Sequence, residues 1–233
     1  MTYSDGDASI HFEGVSVAFE QRDALTGVSV DLAQRRIGVI GANGSGKSTF
    51  ARLLNGLIAP TAGTVSVHGL DPVREGRQLR RRVGFVFSNP DVQVIMPTVG
   101  EDVAFSLRGH GLSRSEVAER VDVTLQALGL EALRDAAAHT LSGGQKQLLA
   151  LASVLVLRPS LVIADEPTAL LDAANSRTIS GFLLDDPHHQ VVIVTHDMRL
   201  AVRCDVVLRF ADGRLVDVGE PQQLVADYER VNT

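Results

Sequence analysis

Cysteine and long apolar runs are scarce in this sequence. A lone Cys204 cannot close an internal disulfide, so we expect a reducing compartment and interpret this residue as part of the core. The longest apolar run, residues 148–157, is about half the length that a membrane-spanning helix needs. Any association with a membrane is therefore expected to come through a partner.

Basic residues are also in the minority, with 22 Lys and Arg against 28 Asp and Glu and a formal net charge of −6. This balance argues against a nucleic-acid-binding face, which needs a clustered basic excess. The one basic concentration runs from Arg74 to Arg82, and we interpret it as a solvated helix face before a strand. Residues 1–9 are polar and acidic, so we expect no secretory signal.

What is present is the composition of a globular protein, 45% hydrophobic and 21% charged over 233 residues. It predicts a single domain, with one core and a smaller lobe. Residues 15–19 and 28–32 alternate apolar and polar side chains, which is typical of half-buried antiparallel strands, and residues 64–67 predict another strand beside them. By contrast, residues 36–40 and 83–87 are short and largely apolar, and residues 161–164 and 191–194 are fully apolar. These segments predict a buried, mostly parallel sheet covered by helices on both faces.

Two helical regions are predicted between these strands. Apolar residues recur at helical spacing from Lys47 to Ile58, and we expect that helix to stop near Pro60. The stretch 97–140 predicts a helical lobe inserted into the α/β core, with a capping box formed by Ser113 and Glu116. His188 and His189 follow Pro187 in a polar turn, and we expect both to be solvated.

A phosphate-binding loop follows the apolar segment 36–40 and matches its pattern at every position. Its glycines let the backbone wrap closely, so that successive N–H groups and the following helix N-terminus face an anion. The pattern places a lysine at the β- and γ-phosphates and a serine hydroxyl on Mg²⁺. The sequence therefore predicts binding of a nucleoside triphosphate by Gly41, Ala42, Asn43, Gly44, Ser45, Gly46, Lys47, Ser48 and Thr49.

Acidic and histidine side chains follow two of the predicted parallel strands. Asp165 and Glu166 end the apolar run that starts at Leu161, where a parallel sheet opens toward a ligand crevice. Asp165 is suited to position Mg²⁺, and Glu166 is suited to act as the base that orients an attacking water. His196 ends another strand and is suited to donate a hydrogen bond to a γ-phosphate.

A second glycine-rich helix start lies far downstream, at Leu141, Ser142, Gly143, Gly144 and Gln145. It is suited to bind an anion, but one triphosphate is already surrounded by the phosphate loop. The economical interpretation is that it caps a nucleotide held by another subunit. The alternative is an ordinary helix N-cap.

Taken in order, these motifs resemble those of ABC-type (ATP-binding cassette) ATPases over nearly the whole chain. The resemblance implies a P-loop NTPase core, an antiparallel β subdomain and an inserted helical lobe. It assigns Phe19 to stacking on adenine, although a core phenylalanine is the alternative. It also assigns Asp172, at the end of the turn 166–172, to communication across a dimer interface.

The resemblance further implies how such a chain works. Two copies pack head to tail around two ATP molecules with Mg²⁺, and hydrolysis lets them separate. The cycle reaches integral membrane subunits through the loop after the second core strand. The chain would then lie at the cytoplasmic face of the membrane, either as a homodimer or paired with a related cassette.

That loop departs from the family pattern. Ser88 occupies the position where the family usually has a glutamine, and its side chain is too short to reach the metal and water. Gln93 would replace that glutamine only if the loop folded back, which we do not expect. Residues 89–105 resemble the ATPases of energy-coupling-factor importers, and residues 87–90 with 95–99 are most similar to the biotin-importer ATPase. Cobalt- and nickel-importer ATPases share the general pattern.

Two other function classes remain as alternatives. A non-transport ABC ATPase normally carries coiled-coil insertions, tandem cassettes or basic arms, whereas this chain is compact and acidic. A small-molecule P-loop kinase would need an acceptor pocket and no second glycine motif.

Overall fold

The computed structural model of the protein describes residues 8–20, 22–169 and 171–232. Most of the amino-terminal segment 1–9, for which we expect no secretory signal, lies outside these residues, and so does Leu170 of the predicted turn. Two sheets and eight α-helices form the described part. The strands are β1 Ile10–Phe19, β2 Arg22–Leu32, β3 Arg36–Gly41, β4 Ala62–Val67, β5 Val83–Val86, β6 Leu161–Asp165, β7 Gln190–Val194, β8 Val206–Ala211 and β9 Arg214–Gly219. The helices are α1 Lys47–Leu53, α2 Gly76–Leu79, α3 Val99–Ser106, α4 Arg114–Ala127, α5 Gly143–Leu155, α6 Ala173–Leu184, α7 Met198–Ala201 and α8 Pro221–Asn232.

The larger sheet has the strand order β5-β6-β7-β3-β8-β9, and its first five strands are parallel. β9 pairs antiparallel with β8 at the edge. The smaller sheet, in the order β2-β1-β4, is antiparallel throughout. The predicted combination of a mostly parallel α/β core and an antiparallel β subdomain is confirmed.

Burial explains why the two kinds of strand have different sequence patterns. Every residue of β5, β6 and β7 is buried, because helices cover both faces of the parallel sheet. β1 and β2 alternate between buried and exposed residues over much of their length, since only one face of the small sheet meets the core. The aromatic ring of Phe50 on α1 joins the two sheets, with its centroid 4.7 Å from that of Phe12 on β1 and 5.2 Å from that of Phe210 on β8.

The first helix is shorter than its apolar spacing predicts. α1 ends at Leu53, not near Pro60. Gly56 has φ +68°, and a Cβ placed on it would lie 2.3 Å from the Pro72 carbonyl oxygen. The chain turns there because it passes against the loop at Pro72, which leaves Leu57 47% exposed.

The stretch between β5 and β6 contains α3, α4 and α5. Ser113 and Glu116 form the predicted capping box at the start of α4, and Thr98 with Glu101 forms another at α3. The five arginines between Arg74 and Arg82 are all exposed, as predicted, although α2 covers only four residues.

The expectations for Cys204, His188 and His189 have different outcomes, and His188 is exposed as expected. Cys204 is buried, as expected, and burial raises the pKa of its thiol to about 12. The expectation that His189 is solvated is wrong. Its side chain is buried against the carbonyl of Leu183, which lies 3.2 Å from Nε2, and burial lowers the pKa of the imidazole. The polar residues around this turn gave no sign in the sequence that His189 lies against α6.

Gly84 in β5 offers a test of the packing between the sheet and α5. A Cβ placed on Gly84 would lie 2.2 Å from Cγ1 of Val154. We expect Gly84→Ala to lower the free energy of unfolding by about 1–3 kcal/mol through overpacking, measured by urea denaturation.

Adding Val154→Ala to that variant is the control. Because the second change opens the space that the new methyl group needs, the double variant is expected to lose less stability than the sum of the two single variants. Strict additivity would contradict the proposed contact.

Candidate nucleotide site

The predicted site residues meet at the carboxyl edge of the parallel sheet. The strand register brings Asp165, at the end of β6, beside Val194, at the end of β7, which also pairs with Val39 of β3. The loop from β3 to α1 and the residues after β6 and β7 therefore emerge at one edge. This is the position at which doubly wound α/β sheets bind ligands.

The phosphate loop is held closely on two sides. Gly46 has φ +105°, and a Cβ on it would lie 2.7 Å from a methyl group of Leu25 and 2.8 Å from the carbonyl oxygen of Ala24. On the opposite side, a Cβ on Gly41 would lie 2.2 Å from the carbonyl oxygen of Phe210. The two glycines are required by packing against β2 and β8, as well as by the ligand that the motif predicts.

Two side chains of the loop match an anionic ligand. Nζ of Lys47 donates to the carbonyl oxygens of Gly41 and Ala42 at 2.8 and 2.9 Å. Burial lowers the pKa of Lys47, and the carboxylates of Glu166 and Asp165 oppose that shift. Oγ of Ser45 is buried with no hydrogen-bond partner among the described residues. A phosphate oxygen would supply the missing partner, so these residues fit a bound triphosphate.

A hydroxyl and a carboxylate lie together beside the loop. Oγ of Ser48 donates to Oδ1 of Asp165 at 3.1 Å. Burial raises the pKa of Asp165, and the hydrogen bond from Ser48 opposes this shift. The described residues contain no group of three or more His, Cys, Asp or Glu that could hold a metal by itself. Two hard oxygen ligands of this kind fit Mg²⁺ that is also bound by substrate phosphates.

Glu166 and His196 form a hydrogen-bonded pair at the ends of β6 and β7. Oε2 of Glu166 accepts from Nδ1 of His196 at 2.7 Å and from the His196 backbone N–H at 3.2 Å. The Glu166 backbone adopts φ +52°, which is uncommon for a residue other than glycine, and its N–H donates to the carbonyl of Val194. With Nδ1 donating to the carboxylate, Nε2 remains for another contact, and the imidazole side chain is 70% exposed.

The nucleotide cleft has a volume of about 310 Å³. Phe19 lies at this cleft and is 52% exposed, so the alternative of a core phenylalanine is wrong. Arg22 also lies here, and its Nη2 donates to the carbonyl of Gly44 at 3.1 Å. No motif in the sequence pointed to Arg22, which the antiparallel pairing of β1 and β2 brings opposite Phe19. The cleft is lined by Phe19, Arg22, Ala24, Asn43, Gly44, Gly46, Lys47, Ser48, Thr49 and Glu166.

The second glycine motif is not part of this cleft. Ser142, Gly143, Gly144 and Gln145 do not belong to the described residues that line it. Ser142 caps α5, with Oγ accepting from the Gln145 N–H while the Gln145 side chain accepts from the Ser142 N–H. The helix N-cap of the alternative interpretation therefore exists, and it uses the side chains of Ser142 and Gln145.

The two glycines of this motif differ in their surroundings. A Cβ on Gly144 would lie 2.5 Å from Nδ2 of Asn175, so a side chain at this position would displace the Asn175 amide. The backbone N–H of Asn175 donates to the side chain of Asp172, the N-cap of α6. The sequence did not indicate that Gly144 and Asn175 lie against each other. A Cβ on Gly143 would meet no atom of the described part of the chain within 4 Å.

The loop after β5 does fold back, contrary to expectation. Gln93 accepts from the Phe87 N–H at 3.1 Å and donates to the carbonyl of Ala150 on α5 at 3.1 Å. Both ends of its amide are therefore engaged by backbone groups, and it connects the strand end to α5. Ser88 is exposed.

The phosphate loop and the acids at the strand ends occur here together with a second glycine motif at a separate helix start. The family model for the ABC transporter matches residues 25–169. The chain belongs to the ABC transporter family. Its members' ATP-binding subunits hydrolyse ATP to drive transport, and this chain is such an ATPase. No helix among the described residues is long and apolar enough to cross a bilayer.

Relatives within the family align over nearly the whole chain. The biotin transport ATP-binding protein BioM of Rhizobium etli is 43% identical over 96% of this chain and 99% of its own length. The energy-coupling factor transporter ATP-binding protein EcfA1 of Symbiobacterium thermophilum is 41% identical over 94% of this chain and 82% of its own length.

A solved structure shares the fold closely. The ABC protein cbiO1 of Clostridium perfringens, described as part of the transporter complex cbiONQ, superposes with a TM-score of 0.84 at 32% identity, covering 96% of this chain and 92% of that one.

Asp165 provides a test of the site's electrostatics. An acid whose pKa is raised in the folded state destabilises the fold above that pKa, and the effect vanishes as the pH falls below the unfolded-state value of about 3.9. We expect Asp165→Asn to unfold at higher urea concentration than the wild type at pH 7 without nucleotide. The difference should shrink as the pH is lowered toward 4.

Asp135→Asn, at an exposed position, is the matched control. Mg²⁺ with ATP should stabilise the wild type more than Asp165→Asn. Equal stabilisation of both proteins would remove Asp165 from the predicted metal site.

Proposed function

We propose that this chain is the ATPase subunit of an energy-coupling-factor importer, working as a dimer at the cytoplasmic face of the membrane beneath integral coupling and substrate-binding subunits. The relatives named for biotin transport and for energy-coupling-factor transporters support this at 43% and 41% identity. Nucleic acid has no part in the proposed function, in line with the net charge of −6.

The observation that carries the dimer is the open space at Gly143. No described residue approaches the position of its missing side chain within 4 Å, and its φ is not in the region that favours glycine. The helix start at Ser142 is also absent from the cleft formed by the described residues. A second copy that brings its nucleotide against Gly143 explains both features, because a phosphate then approaches the bare backbone.

Within each cleft we assign roles by position. Lys47 and the loop N–H groups hold the phosphates, and Ser48 with Asp165 holds Mg²⁺, which neutralises phosphate charge when bound. Glu166 orients and deprotonates the attacking water, while His196 positions the Glu166 carboxylate through their hydrogen bond at 2.7 Å. Phe19 stacks on adenine.

Contact with the membrane subunits is assigned to the loop between β5 and α3. Val92 and Ile95 are 64% and 62% exposed there, which provides an apolar surface for a partner. Gln93, between them, binds Ala150 of α5, and α5 begins at the second glycine motif. Docking at this loop is thus connected by direct contacts to the helix that meets the partner's nucleotide.

Biotin is the proposed cargo, since the relative BioM is named for biotin transport. Cobalt or nickel is the alternative, because the importer ATPases for these ions share the general motif pattern. Uptake of labelled biotin, Co²⁺ and Ni²⁺ should be compared in a deletion strain with and without the gene for this chain. Loss of biotin uptake alone is expected. The integral proteins that copurify with the chain from native membranes would identify the partners.

Glu166→Gln tests the proposed base. We expect ATP turnover to fall by at least about 100-fold, since a positioned base contributes that much or more. ATP binding should persist, and the dimer should accumulate on size-exclusion chromatography with Mg²⁺ and ATP. Glu119→Gln, at an exposed position of α4, should behave as the wild type. Turnover retained in Glu166→Gln would exclude it as the base.

Mixing two inactive variants tests the head-to-tail arrangement. Lys47→Ala disables the phosphate loop, and Gly143→Asp places a negative charge where the partner's phosphates are proposed to lie. Each variant alone should be nearly inactive, whereas their mixture should regain turnover because a mixed dimer has one site with neither change. Failure to regain turnover, with both variants folded by circular dichroism, would contradict the shared site. A kinase acting as a monomer would show no such recovery.

A further inference from the structure

A strongly basic surface lies outside the nucleotide cleft, on the segment between β4 and β5. We call it the arginine patch and define it by the exposed residues Arg74, Arg77, Arg80, Arg81 and Arg82. A surface cleft of about 680 Å³ is lined by Arg74, Glu75, Arg77, Gln78 and Arg81. Nothing in the proposed catalytic cycle uses these side chains.

The arginine patch is poorly neutralised by the protein itself. Glu75 is the only acid between residues 74 and 82, and its carboxylate accepts from the backbone N–H of Asp71. Asp71 lies 3.6 Å from Nε of Arg74, while Arg77 and Arg81 form no ion pair with any described residue. A chain with net charge −6 thus concentrates uncompensated positive charge at one place, which attracts an anionic partner.

Two exposed apolar side chains lie next to this charge. Val73, which directly precedes Arg74, is 56% exposed, and Leu57 is 47% exposed. Their two loops touch, since a Cβ on Gly56 would lie 2.3 Å from the Pro72 carbonyl oxygen. The surface therefore combines guanidinium groups with short apolar side chains, which is the chemistry of a membrane-surface contact.

We propose that the arginine patch, together with Val73 and Leu57, binds the anionic phospholipid surface of the membrane directly. Guanidinium groups match phosphate oxygens in bidentate geometry, and the apolar side chains enter the boundary between headgroups and acyl chains. Residues 70–82 contain no aromatic side chain on which nucleic-acid bases would stack. The inference rests on the proposed function only in placing the chain beside a bilayer.

Vesicle co-sedimentation of the full chain tests this inference without its membrane subunits. Wild type should bind vesicles of phosphatidylcholine with 30% phosphatidylglycerol, but not pure phosphatidylcholine vesicles, and binding should weaken as salt is raised. Each basic residue near an anionic surface contributes about fivefold in affinity, so losing Arg77 and Arg81 should weaken binding roughly 30-fold. The double variant Arg77→Glu with Arg81→Glu reverses both charges and should weaken binding further. Val73→Ser with Leu57→Ser should weaken binding while leaving its salt dependence unchanged.

The matched control reverses two other exposed arginines, Arg114→Glu on α4 and Arg214→Glu on β9, giving the same net charge. It should bind anionic vesicles nearly as the wild type does. ATP turnover in solution should be unchanged in both charge-reversed proteins, so a vesicle result is independent of the ATPase assignment.

Equal loss of binding in both charge-reversed proteins would show a net-charge effect and overturn the proposal. No binding of wild type to anionic vesicles would also overturn it. A third outcome would overturn it as well: membrane binding that needs Arg77 and Arg81 only when the membrane subunits are present in neutral lipid. The arginine patch would then be a surface that binds a protein partner.

Discussion

The packing of the phosphate loop between the two sheets is the constraint on which the rest of the structure depends. Gly46 lies against Leu25 and Ala24 of β2, and Gly41 lies against the Phe210 carbonyl of β8. The backbone N–H of Gly213 donates to the carbonyl of Ser45. A loop held this closely presents its N–H groups in a fixed arrangement, so a triphosphate meets a preorganised surface and not a flexible turn. It also makes the antiparallel subdomain part of the site, because β1 and β2 bring Phe19 and Arg22 to the same cleft.

The burial that preorganises the site also has an electrostatic cost. Asp165 and Lys47 are both desolvated. Burial raises the pKa of Asp165 and lowers the pKa of Lys47, so it favours the neutral form of each. A triphosphate and a divalent cation would supply the opposite charges that these groups lack. Ligand binding should therefore stabilise the fold as well as complete the site. The buried Oγ of Ser45, with no partner among the described residues, fits the same interpretation.

Sequence patterns predicted the elements better than the contacts between them. The apolar runs located the parallel strands, because burial on both faces leaves no room for polar side chains. The same patterns overestimated α1, since nothing local shows that Gly56 passes against Pro72. They also placed His189 in solvent, and they failed to predict that Gln93 returns to Phe87. Each error concerns a residue whose surroundings come from distant parts of the chain.

The sequence by itself determined the nucleotide chemistry, because a phosphate loop followed by acids at strand ends requires a specific order of residue types and little else. It also determined the fold class through the contrast between alternating and continuous apolar strands. Only the tertiary structure decided which residues share a cleft. It placed Arg22 beside the loop, separated Ser142 from it, and showed that Gly144 lies against the Asn175 side chain whereas Gly143 faces open space. The physical reason is that chemistry follows from residue type and spacing, whereas proximity and free space are set by packing over the whole chain.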